Sequence, residues 1–310
     1  MLFTCRRFSR ALGALTLFAA GCIATDPQTD ELVLEPDVDL ALDGHDIEPP
    51  ADYVEADYVE IDSDAVLIDP GLFAPPPAPL EVVEKWVSSP DSRKRIADTT
   101  ASPQKMAAML LITLDGRTSI CSGTVVGKDA VLTNGHCLFN PATQLWAKNV
   151  VVVPSAYPDP ANPARYRAPF GSSSGRKLFT PTNWRLGQGN VQRGLDYGIV
   201  RTNNASLASE WRSVGYAATP SGNIEYYGYQ GDLAHYQMYK ARGPIDRWAD
   251  STNGLMQVKV SLFQGGSGAG IAASSTSSIV GVMRATSTNF NVAVFFNASK
   301  RDQIRSWIKQ

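Results

Sequence analysis

The chain has 310 residues, 44% of them hydrophobic, and a formal net charge of −2. That length suits one large domain or two medium ones, and the composition excludes a fibrous chain or one disordered throughout. The small net charge conceals a split. Ala11 to Glu84 contains 18 Asp and Glu and no Lys or Arg, whereas from Lys85 onward 25 Lys and Arg face 12 Asp and Glu.

The first 22 residues, MLFTCRRFSRALGALTLFAAGC, have the form of an export signal. Arg6, Arg7 and Arg10 make a basic start before the apolar run Ala11–Ala20, which is too short for a stable transmembrane helix. The run ends in AAGC, which resembles a bacterial lipoprotein box with Cys22 as the lipidated residue; a plain secretory signal cut near Gly21 is the other reading. No later stretch reaches 18 apolar residues, so a soluble exported chain is expected, secreted or held as an outer-membrane lipoprotein.

Residues 23–85 are acidic and low in complexity, with a tandem repeat ADYVE-ADYVE at 51–60 and an extended proline-rich end, DPGLFAPPPAP. High charge with few large apolar residues predicts disorder in isolation. A solvated tether and a propeptide whose acids dock on the basic region after it both fit that composition.

From about Ile96 the texture changes to short β-branched runs separated by Gly, Pro, Asn, Asp or Ser: MAAMLLITL, GTVVG, AVLT, VVVVP, YGIV, LMQVKVSLF, SIVGVM and VAVFF. This spacing predicts an all-β fold, and about 225 residues of short strands suit two small barrels. Barrel 1 is expected over about 96–202 and barrel 2 over about 203–298. A final helix is expected over 299–309, with Ser299 as N-cap and Ile304, Trp307 and Ile308 on one face.

Export leaves Cys121 and Cys137 as an even pair in an oxidising compartment, which predicts a disulfide. Neither belongs to a C-x-x-C unit and only His136 lies near, so no metal site and no cofactor is expected. His136 follows the strand-like AVLT in NGHC, where a disulfide would pin the loop of a general base. Ser267 lies in FQGGSGAGI, and its glycines allow the sharp exposed turn that a nucleophile and its oxyanion donors need. The amides of Gly265 and Ser267 are the candidate oxyanion pair. Asp196, in GLDYGIV, can fix the imidazole tautomer. The chain order His136, Asp196, Ser267 is that of chymotrypsin-like proteases, not subtilisins or α/β-hydrolases.

TVVGKDAVLTNGHC resembles the histidine motif of trypsin-like serine proteases, in particular the bacterial branch that includes the glutamyl endopeptidases. SGTVVGKDAVLTNGH, DYGIV, GGSGAG, IADTT and GVMRATSTNFNVAVFFN carry the likeness, over roughly residues 87–310. It implies two six-stranded antiparallel barrels and a secreted serine endopeptidase made as a precursor, with residues 1–22 as signal, 23–85 as propeptide and 86–310 as protease domain. His136 is then the base, Asp196 its orienter and Ser267 the nucleophile. Protein or peptide substrates and the chain's own acidic propeptide are the expected partners, with a lipid anchor through Cys22 as the surface-bound variant. The basic charge is scattered and no nucleic-acid motif is found, so no specific nucleic acid is expected.

Three features depart from that branch. Gly266 stands where Asp or Asn precedes the serine, and Ala269-Gly270 where Gly/Ser-Pro is usual. Met283 occupies the place of a histidine that helps bind substrate glutamate, beside Leu262-Phe263 on the pocket wall. Leu262, Phe263 and Met283 predict an apolar specificity pocket, with Arg284 beside it able to attract an acidic side chain. The alternative function is a weak or inactive homologue acting as a surface-anchored binding lipoprotein. Activation is expected by cleavage after Lys85, or later in the basic run Arg93-Lys94-Arg95.

Overall fold

A computed structural model describes residues 58–60, 90–186, 193–204, 207–217, 221–251, 254–273, 278–286 and 290–310. The expected signal at 1–22, Cys22, the acidic segment apart from 58–60, and the expected processing point at Lys85 lie outside the described residues.

Two short strands precede the barrels, β1 (Tyr58–Glu60) and β2 (Lys94–Arg95). Barrel 1 is built from β3 (Ala107–Leu114), β4 (Arg117–Val125), β5 (Ala130–Thr133), β8 (Asn149–Pro154), β11 (Ser173–Phe179) and β12 (Gly198–Thr202). Between these lie two small hairpins, β6 (Phe139–Asn140) with β7 (Leu145–Trp146) and β9 (Tyr157–Asp159) with β10 (Asn162–Arg167). The six main strands run antiparallel in the order β11-β12-β5-β4-β3-β8, and β11 closes back on β8. Barrel 2 comprises β13 (Asn223–Tyr229), β14 (Met238–Asp250), β15 (Leu255–Val258), β16 (Gly270–Ala273), β17 (Ile279–Thr286) and β18 (Asn291–Phe295). Its order is β13-β16-β17-β18-β15-β14, closed by β13 on β14. The two expected six-stranded barrels are therefore present.

Period-2 alternation explains why both faces of several strands are apolar. In β3, Ala108, Leu110 and Ile112 fill barrel 1, while Ala107, Met109 and Leu111 face outward. In β8, Val150 and Val152 point in and Val151 and Val153 point out. The outward set meets Tyr227, Tyr229 and Met238 of barrel 2, so the second face is buried between barrels. The β3–β4 hairpin turns on Asp115-Gly116, both at positive φ (51° and 73°), the geometry a two-residue connection needs.

Another inter-barrel cluster joins Leu132, Phe179, Tyr197 and Ile199 to Val282, Val294 and Phe296. The helix α2 (Ala298–Lys309) completes it with Ile304 and Trp307, both fully buried. Trp307 stacks on Phe179 of barrel 1 (centroids 5.7 Å apart), so a helix that follows the last strand of barrel 2 clasps barrel 1. The cap is two residues earlier than expected: Asn297, in extended backbone, accepts from the Lys300 amide at 2.9 Å, and the helix begins at Ala298. An Asn ahead of the first turn outcompetes Ser299, which lies inside it.

Both short N-terminal strands extend a barrel sheet. β1 pairs antiparallel with β11 (Tyr58 opposite Phe179, Glu60 opposite Lys177), and Val59 packs against the barrel 1 core. β2 pairs with β14, and beside it Arg93 is almost wholly buried, bound to Asp91, Asp232 and Gln230. No helix among the described residues is long and apolar enough to cross a membrane.

Candidate active site

β5 ends at Thr133 and the chain tightens into a single 3-10 turn, Gly135–Cys137. That turn holds His136 at the mouth of barrel 1. Its last residue, Cys137, is bonded to Cys121 of β4, as the cysteine pairing predicts. Gly135 is required by a close approach: an added Cβ would lie 2.9 Å from the Trp184 indole nitrogen. Trp184 sits on α1 (Thr182–Leu186), directly after β11, and packs beneath the histidine loop.

Asp196 enters from the loop before β12 and is completely buried. It accepts the His136 backbone N–H at Oδ1 and the His136 Nδ1–H at Oδ2, both at 2.8 Å. The Asn134 amide donates to the Asp196 carbonyl at 2.8 Å and fixes the aspartate backbone as well. With Nδ1 engaged, Nε2 is the nitrogen left for chemistry, and the imidazole is 36% exposed. Burial raises the Asp196 pKa; the His136 imidazole and then Arg284 outweigh it, and the net direction is below the usual carboxylate range.

Ser267 stands in the turn between Val258 and β16. Gly268 beside it has φ +85°, and a Cβ there would meet Thr133 Oγ1 at 2.1 Å and Ser122 O at 2.3 Å. The serine turn is thus pressed onto β4 and β5, next to the histidine loop. The Ser122 amide donates to Ser267 O, and Ser122 Oγ to Gly265 O, both at 2.8 Å. The amides of Gly266, Gly268, Ala269 and Gly270 all have acceptors. Among the described hydrogen bonds those of Gly265 and Ser267 have none, and Gln264 O is turned away to accept from Gly231. Two N–H donors without a described acceptor, beside a serine hydroxyl, are the kind of group a developing oxyanion needs.

The Ser267 hydroxyl donates to Arg284 O at 3.1 Å, and among the described hydrogen bonds none joins it to His136. Gly266 fits its place sterically, since a Cβ there would lie 2.4 Å from Leu262 Cδ1. Ala269 is fully buried in barrel 2.

Of the four pocket candidates, Leu262 and Met283 lie in the barrel 2 core and Phe263 is half-buried. Arg284 turns toward the Asp196 carboxylate: its Nε is 2.8 Å from Asp196 Oδ2, outside hydrogen-bond alignment, so the contact is one of charge. Sequence reasoning did not anticipate Ser122, Asn134 or Trp184. Asn134 was within the motif that singled out His136, but nothing local shows that its amide reaches a carbonyl 62 residues away.

The Trypsin family profile matches residues 96–158. The fold is that of the chymotrypsin-like serine proteases. The glutamyl endopeptidase of Bacillus licheniformis is 27% identical over 208 residues, 66% of this chain and 59% of that protein. The extracellular metalloprotease of Bacillus subtilis is 25% identical over 142 residues, 45% of this chain and 37% of that protein. The chain thus aligns with less than two thirds of either relative. A Glu endopeptidase structure in complex with MPD superposes with TM-score 0.60 at 24% identity, over 71% of this chain and 98% of that one. Protease Anisep from Arthrobacter nicotinovorans gives 0.58 at 19%, over 70% and 100%. This chain resembles the trypsin-like proteases and, among them, the glutamyl endopeptidases. As to metals, Cys121, His136 and Cys137 are the one His/Cys/carboxylate group among the described residues close enough to ligate, but the two sulfurs are bonded to each other and offer no thiolates.

Proposed function

We propose that the chain is a serine endopeptidase. The observation that carries this reading is a tautomer-fixing His136–Asp196 pair near a serine flanked by two unpaired amides. Ser267 Oγ attacks the peptide carbonyl carbon while His136 Nε2 takes its proton. The Gly265 and Ser267 amides hold the oxyanion, and Asp196 stabilises the imidazolium. The proton passes to the leaving amine, and water then opens the acyl-enzyme by the same steps in reverse. Half-buried Phe263, beside the serine turn, favours an apolar side chain next to the cleaved bond, whereas Leu262 and Met283 are enclosed in the barrel 2 core. A peptide library incubated with the processed chain tests this: cleavage must occur and must vanish in Ser267→Ala. Cleavage that persists in that variant overturns the reading.

The chain is made as a precursor, with residues 1–22 as export signal and 23–85 as pro-segment, and is released outside the cell. The β1–β11 pairing supports docking of the acidic segment on barrel 1. The burial of Arg93 favours processing after Lys85 over the run 93–95, because the later cut strips a buried ion-pair network from barrel 2. N-terminal sequencing of secreted protein should begin at Trp86; a start at Lys94 or later contradicts this. A lipid on Cys22 would tether only the unprocessed form.

A second reading, a weak or inactive homologue binding at the cell surface, is favoured by the hydrogen bond that turns Ser267 Oγ to Arg284 O. The same library experiment separates the two.

A further inference from the structure

Arg284 has no role in the triad, yet it touches two of its members. Its carbonyl accepts the Ser267 hydroxyl, and its guanidinium Nε lies 2.8 Å from the Asp196 oxygen that also binds His136 Nδ1. The two nitrogens therefore lie at most twice that distance apart. We infer that Arg284 is a positioning residue that neutralises the buried Asp196 carboxylate and thereby sets the pH range over which His136 remains a free base. This rests on the roles given to His136 and Asp196 in the proposed function.

The argument is electrostatic. A carboxylate alone beside an imidazole stabilises the imidazolium, because opposite charges within a few ångströms favour each other. Asp196 is wholly buried and the Arg284 side chain only 17% exposed, so water screens the pair weakly. A guanidinium is always charged. Placed on the same oxygen, it offsets much of the negative field at the imidazole. It also repels the proton that His136 must gain to become cationic. Because Nε lacks hydrogen-bond alignment with Asp196, the effect depends on charge more than on a directed bond. The groups that face this pair from each packed element are few among the described residues. Arg284 comes from β17, the Ser267 hydroxyl from the turn before β16, and the Cys121–Cys137 sulfurs, which carry no charge, from β4 and the histidine turn.

The sign follows directly. Removing the positive charge makes imidazolium easier to form, so His136 protonates at higher pH. The test is an NMR titration of the His136 ring in the full chain, assigned with a His136→Gln variant. Arg284→Gln and Arg284→Ser, both of which keep a hydrogen-bond donor but carry no charge, should each raise the His136 midpoint by about one pH unit relative to the wild type. Arg284→Lys, which keeps the charge, should leave it within a few tenths. An unchanged midpoint in a folded neutral variant, or an equal rise in the lysine variant, overturns the inference. Should Arg284→Gln not fold, Arg284→Ser carries the same comparison with a smaller side chain. The acid limb of kcat/KM should follow the titration. The ring titration needs no turnover, so a wild type without Ser267-dependent cleavage defeats the protease reading alone, while an unmoved midpoint defeats this inference alone.

Discussion

At the scale of single residues, the site depends on groups whose partners come from distant positions. Asp196 holds His136 through two hydrogen bonds and is itself held by Asn134. Asp196→Asn should keep the fold and misassign the imidazole tautomer, lowering kcat by about 10⁴-fold. Steady-state kinetics with a matched thermal melt checks this; a loss below tenfold with an intact melt contradicts it. The three candidate residues could be singled out in the sequence because each sits in a local motif: NGHC, GLDYGIV and GGSGAG. Arg284 was legible only as a charge near a pocket. Its contact with Asp196 depends on how β17 passes the loop before β12, and no spacing within either segment encodes that.

At the scale of elements, the serine turn and histidine turn are locked by close backbone approach. Gly268→Ala drives a Cβ into Ser122 O and Thr133 Oγ1 at a positive φ that disfavours side chains. It should destabilise the chain by more than about 3 kcal/mol, and a thermal melt within a degree of wild type would refute that. The disulfide joins the turn to β4, and the loop it closes spans 16 residues. Replacing both cysteines by alanine should cost about 3 kcal/mol by the loop-entropy argument, read as a lower denaturant midpoint. The strands themselves were readable from β-branched runs and turn residues. Two element-level features were not. The Asn297 cap displaced Ser299 because capping turns on one backbone dihedral, and β1 is a strand only because β11 offers it an edge.

At the scale of the whole molecule, two barrels are welded by two apolar clusters and by α2, whose Trp307 crosses to barrel 1. The barrel count was legible from length and strand spacing. The welding was visible only as strands apolar on both faces, such as MAAMLLITL, which a barrel surface in water would not need. Ion pairs also link distant segments. Asp129 binds Arg176 and Arg201, and Arg201 donates to Trp307 O. Burial raises the Asp129 pKa, but the two arginines outweigh it and hold it low. A carboxylate with a lowered folded pKa stabilises the fold above its unfolded value, about 3.9, and loses that contribution as pH falls through the folded pKa. Stability measured by denaturant should therefore decline below about pH 4, and Asp129→Asn should show a shallower decline from a lower plateau. An equally steep decline in that variant would contradict the assignment.

The central claim is that Ser267 is an activated nucleophile. Its most direct measurement is the intact mass of the processed chain after exposure to a fluorophosphonate, with the adduct located by peptide mapping. The account predicts one adduct per chain, on Ser267, absent from Ser267→Ala and suppressed in His136→Gln. A processed, folded wild type that takes up no adduct would contradict it.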